Sequence, residues 1–94
     1  RVLYAMGFST FASIEPVIDW RSADMIVRKS ISWCDHYKIG IRSGVKHDYY
    51  DPLDSFIRAN IIINYITTNW KTVYIKNSLR KLLDEGEKIH KGLL

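Results

Sequence analysis

Three ionisable residues close short β-prone runs in this chain. Glu15 follows TFASI, Lys38 lies in DHYKIG, and Lys76 ends TVYIK. A carboxylate and two ammonium groups can form a structural ion pair or line the mouth of a functional site. If brought together in a cleft, they can also tune each other's proton affinity. Ser13, His36 and Tyr74 alternate with the apolar residues of the same runs, so they belong to the same side of their strands. The loop GIRSG (40–44) adds glycines, backbone N–H groups and Arg42, suited to a carboxylate or phosphate or to a plain flexible connection.

Other combinations of reactive residues are less coherent. His36, His47 and His90 are widely separated, and no third ligand converges with His36 and His47 to complete a metal site. Ser43, His47 and Asp48 are near neighbours in sequence, with no nucleophile elbow to present the serine, so a hydrolytic triad is not expected. Cys34 is the only cysteine, which rules out an internal disulfide and fits a reducing, cytoplasmic setting. It lies on an apolar stripe, where cysteine acts as a small hydrophobe.

The elements that must position these residues alternate in period. Residues 1–6 read as a helix end closed by Gly7. A strand over 10–15 stops at Pro16, and Asp19 caps a helix over 20–33. Ala23, Ile26, Val27, Ile31 and Cys34 form its apolar stripe. A second strand spans 35–40, followed by a polar loop over 41–50. Asp51-Pro52 opens a helix to about Asn69, with Phe56, Ala59, Ile63 and Ile66 on one face. A third strand (72–76) leads to Asn77 as cap of a last helix, which groups Leu79, Leu82, Leu83 and Ile89. Trp20, Trp33 and Trp70 sit near helix ends and read as core or interface anchors.

Strands alternating with helices of ten or more residues predict a parallel sheet with right-handed crossovers. Doubly wound sheets are covered on both faces and read as continuous apolar runs. Here Ala12/Ile14, Tyr37/Ile39 and Val73/Ile75 oppose Ser13/Glu15, His36/Lys38 and Tyr74/Lys76. One face is therefore apolar and the other polar. Charged residues at strand C-terminal ends match the mouth of a (β/α) barrel; a solvent-exposed face with a structural ion pair is the alternative. The fold expected is a single α/β domain over 1–94. It holds three consecutive βα units, about half of a TIM-like barrel, which closes with about eight strands.

The segments SIEPV (13–17), WCDHYKIGIRSG (33–44) and VYIKNSL (73–79) together resemble the C-terminal part of radical-SAM enzymes. The spore-photoproduct-lyase-like group and a phage-associated radical-SAM-like family of unknown substrate are the nearest in pattern. The resemblance runs from about Thr10 to Leu83. It implies a partial barrel binding S-adenosylmethionine across its strand ends, with a [4Fe-4S] cluster on a Cys-x3-Cys-x2-Cys loop after the first strand. Glu15, Lys38 and Lys76 would then line the S-adenosylmethionine or substrate region, with Ser13, His36, Tyr74 and Arg42 nearby. The chain departs from that pattern in cysteine count. A cluster needs three or four thiolates, so the chain is expected to hold no cofactor itself and to be inactive alone.

The chain starts at Arg1 without an initiator Met and is expected to be a fragment. Its partners would be the N-terminal part of its own barrel or, for the isolated fragment, a second copy covering the open edges. No apolar run is long enough to span a membrane. Residues 71–94 hold six bases and three acids, much of the formal +4. Their helical mixing reads as a solvated face, and nucleic-acid binding is not expected. A self-associating interaction module, or weak nucleic-acid binding through this helix, stands as the alternative function.

Overall fold

The computed structural model describes residues 11–42 and 49–92. The expected helix at 1–6 with Gly7, and Ser43, His47 and Asp48, lie outside these residues. The elements are β1 (Phe11–Ile14), α1 (Trp20–Ser30), β2 (His36–Ile39), α2 (Pro52–Thr68), β3 (Thr72–Ile75) and α3 (Asn77–His90). The three strands form a parallel sheet in the order β1-β2-β3. The chain is thus a small α/β domain of βαβαβα order. No helix among the described residues is long and apolar enough to cross a membrane.

Two helix starts follow the local chemistry of the sequence. Asp19 Oδ1 accepts the Ser22 N–H at 2.7 Å, and Asp51 Oδ2 accepts the Asp54 N–H at the same distance. Each carboxylate satisfies a donor that the first turn leaves open. Pro52 fits the first turn of α2, where its missing N–H costs nothing. The third start differs from expectation. Asn77 is already helical, and Lys76 occupies the cap position without a side-chain hydrogen bond.

The end of α2 is a Schellman turn. Trp70 N–H donates to Thr67 O at 3.1 Å and Lys71 N–H to Ile66 O at 3.2 Å. The residue forced into left-handed backbone is Trp70, with φ of 64°, where glycine is the usual occupant. Trp70 is 94% exposed, so of the core or interface roles its position suggested, the core role is excluded. Trp20 is buried and donates from Nε1 to Ser55 Oγ at 3.0 Å; Trp33 packs against the core edge.

One hydrophobic cluster joins one side of the sheet to all three helices. Ile14, Tyr37 and Ile39 meet Ala23 and Val27 of α1, Ala59, Ile62 and Ile66 of α2, and Leu79 of α3. Burying each large aliphatic side chain contributes about 2 kcal/mol before cavity effects. Burial pushes the Tyr37 hydroxyl up to about 12, partly offset by its 2.6 Å hydrogen bond with Ser30 Oγ. Helices α2 and α3 cross closely at Gly86, where a Cβ would stand 2.1 Å from the Pro52 carbonyl oxygen.

The inward rows of two helices differ from the expected stripes. Ile26 is 49% exposed, and Ser30 takes the inward place because Tyr37 is there to bond it. On α2, Ser55 and Ile62 are buried while Phe56 and Ile63 are only partly covered. Helix α1 also stops at Ser30, earlier than residue 33.

Candidate functional site

All three helices cover one face of the sheet, and the other face is bare among the described residues. Its side chains fall in rows set by the strand register. Phe11, His36 and Thr72 form the first row, and Ser13, Lys38 and Tyr74 the second. The same pairing carries on through Gly40 N–H to Ile14 O at 3.1 Å and Lys76 N–H to Ile39 O at 3.0 Å. Glu15, Gly40 and Lys76 therefore make the third row, at the C-terminal rim.

Glu15 is the hub of that rim. Its Oε1 lies 2.7 Å from Lys76 Nζ, and its Oε2 lies 3.8 Å from Lys38 Nζ. Ser13 Oγ donates to Oε2 at 2.8 Å. The Lys76 hydrogen bond, then the Ser13 one, hold the Glu15 carboxyl below its ordinary range, and the same Lys76 contact raises the lysine.

Glu15 and Lys76 stand on outer strands about 10 Å apart, so their side chains must lie flat over β2 to meet. Gly40 makes this possible. A Cβ on Gly40 would be 2.8 Å from Lys76 Cδ and 3.3 Å from Glu15 Oε1. The missing side chain in the third row is the space through which the pair closes.

The structure thus brings Glu15, Lys38, Lys76 and Ser13 together, with Tyr74 in the same row as Ser13 and Lys38. His36 is different: it begins β2 and bonds through Nδ1 to Thr72 Oγ1, at the opposite end of the sheet. It therefore stands roughly 10 Å from the rim, the length of a four-residue strand. Arg42 lies just beyond the rim and is exposed. Its backbone N–H donates to Tyr50 Oη at 3.3 Å, and Tyr50 Oη donates to Val17 O. The Arg42 guanidinium makes no hydrogen bond or ion pair among the described residues.

No group of three metal-ligating side chains occurs among the described residues. Cys34 does not suit an iron–sulfur cluster: it is fully buried, and its Sγ donates to the His36 carbonyl at 3.2 Å. A cavity of about 330 Å³, not foreseen from the sequence, opens on the helix-covered side between the starts of α1 and α2. Asp19 and Asp51 line it but are engaged as caps, and Arg58 pairs with Asp54 at 3.2 Å. Neither residue spacing nor periodicity signals it, because its walls come from two helix starts far apart in sequence.

No protein-family model, no curated protein and no solved structure matches the chain.

Proposed function

We propose that the chain supplies part of the wall of a (β/α) barrel enzyme and that its bare sheet face lines the enzyme's interior. Within that reading, Glu15, Lys38 and Lys76 contribute to a ligand pocket at the strand C-terminal ends. The observation that carries it is the placement of all three helices on one face of a sequentially ordered parallel sheet, with charged residues at the opposite face's C-terminal rim. Doubly wound sheets cover both faces and bury such charges at a cost of several kcal/mol.

The resemblance of the sequence segments to radical-SAM enzymes would refine the proposal to that class, with S-adenosylmethionine and a [4Fe-4S] cluster held by the remainder of the barrel. The coding sequence upstream of Arg1 tests it. The expected result is a Cys-x3-Cys-x2-Cys loop after an earlier strand, and a full-length product that gains iron–sulfur absorbance on reconstitution. A full-length product without that loop would remove the radical-SAM assignment.

A second reading is self-association of the 94-residue chain. Phe11 is 62% and Tyr74 56% exposed on the bare face, one on each outer strand, and neither strand has an outer neighbour among the described residues. Light scattering is expected to give a dimer or larger species. A stable monomer at high concentration would contradict this reading and leave the barrel proposal standing.

A further inference from the structure

The Lys38 ammonium group makes no hydrogen bond among the described residues. Glu15 Oε1 is taken by Lys76 at 2.7 Å and Oε2 by Ser13 at 2.8 Å. Lys38 Nζ stands 3.8 Å from Oε2, beyond hydrogen-bonding length. Its three donors are directed by the central strand onto the bare face. Two ammonium groups drawn to one carboxylate also leave a net positive charge on a small area of surface.

We infer that this rim binds an oxyanion, a carboxylate or phosphate group of the ligand, through Lys38 and Lys76, with Glu15 as the positioning residue that holds the two lysines side by side. The inference deepens the proposed ligand pocket and rests on that rim facing a ligand; it needs neither the cluster nor the radical chemistry. Here the central lysine is left with donors to spare, at the end of a parallel sheet where ligands characteristically meet backbone and side chains. Gly40 contributes by keeping the third row low, so that Lys76 reaches Glu15 without covering Lys38 from a tall neighbour on β2.

The roles assigned to Glu15 and Lys38 predict opposite signs. Lys38→Met removes a ligand contact, whereas Glu15→Gln removes a competing negative charge while keeping a hydrogen-bond acceptor for Lys76. The test is a titration of the whole 94-residue chain with inorganic phosphate, and separately with acetate, at constant ionic strength balanced with sodium chloride. Backbone amide chemical shifts are the readout. Saturable shifts are expected at Ser13, Lys38 and Gly40, and the anion that saturates at lower concentration identifies phosphate or carboxylate as the preferred group. Lys38→Met and Lys38→Gln are expected to weaken binding roughly tenfold. Glu15→Gln is expected to tighten it about fivefold, and Lys81→Met on the exposed side of α3 to leave it unchanged. Circular dichroism confirms that each variant is folded. Absence of saturable shifts with both anions, unchanged binding in both Lys38 variants, or weaker binding in Glu15→Gln would overturn the inference. None of these outcomes depends on the sequence upstream of Arg1, so the barrel assignment and the anion site fail separately.

Discussion

The two ends of the sheet tie the strands together with charged side chains, and they do so differently. At the N-terminal end Asp35 and Lys71 form an ion pair at 3.3 Å, with side chains only 29% and 14% exposed, next to the His36–Thr72 hydrogen bond. At the C-terminal end one carboxylate, 23% exposed, serves two lysines that are more open to water, 35% and 44% exposed. A paired, largely covered charge makes sense as part of the framework, since leaving either partner alone there is costly. A partly exposed lysine held at 3.8 Å adds little stability, which is consistent with the ligand role proposed for this rim. In closed (β/α) barrels the N-terminal end carries stability and the C-terminal end carries function, the division that the proposed function would extend to this sheet.

The glycines extend the same contrast to the backbone and give the largest predicted effect. At Gly86 a methyl group would meet the Pro52 backbone and Phe56 Cβ, at 2.1 Å and 2.6 Å, and neither can move without parting α2 from α3. Gly86→Ala is expected to destabilise the fold by about 3 kcal/mol in urea unfolding. Trp70, beside the N-terminal end, holds left-handed backbone at φ 64° with an exposed ring. Trp70→Gly is expected to raise stability by about 1 kcal/mol, and a loss of stability would show that the ring is needed there. At Gly40 the methyl group would meet the flexible stem of Lys76. Gly40→Ala should therefore cost less than about 1 kcal/mol, yet it should displace Lys76 from Glu15, visible as a rise in the Glu15 carboxyl pKa by NMR.

The smallest effect is pH dependence at the rim. The Glu15 carboxyl is held below its ordinary 4.5, so its contribution is present above that pH and lost as the pH falls through the folded value. Lys76 is held above 10.5, so its contribution is present below that pH and lost as the pH rises through the folded value. Glu15→Gln should remove part of the acid-side loss while leaving the acid sensitivity of the Asp19 cap, whose carboxyl is lowered by the Ser22 N–H, then its hydroxyl. Melting temperatures of the two proteins across the acid range measure the difference.

Much of this arrangement is legible from local patterns. The alternation in FASI, HYKI and TVYI separates the two sheet faces, and Asp19 and Asp51-Pro52 mark helix starts, because both signals act over a few residues. The rim follows from the same alternation once the strands are parallel and in register. Features set by distant partners are not visible in this way. Ser30 displaces Ile26 from the inward row because Tyr37, across the turn, offers it a hydrogen bond, and Ser55 is buried because Trp20 is. His36 shares the polar face with Lys38, but alternation identifies a face and not an end of it. Gly40 reads as a strand terminator until the side chains of Glu15 and Lys76 are seen to cross it.

The proposed division between a framework end and a binding end is tested most directly by urea unfolding of Lys38→Met and Lys71→Met side by side at neutral pH. Lys71→Met is expected to lose about 1–2 kcal/mol, and Lys38→Met to stay within about 0.5 kcal/mol of the parent. Equal losses in the two variants, or a larger loss for Lys38→Met, would contradict the account and make the C-terminal rim one more structural ion network.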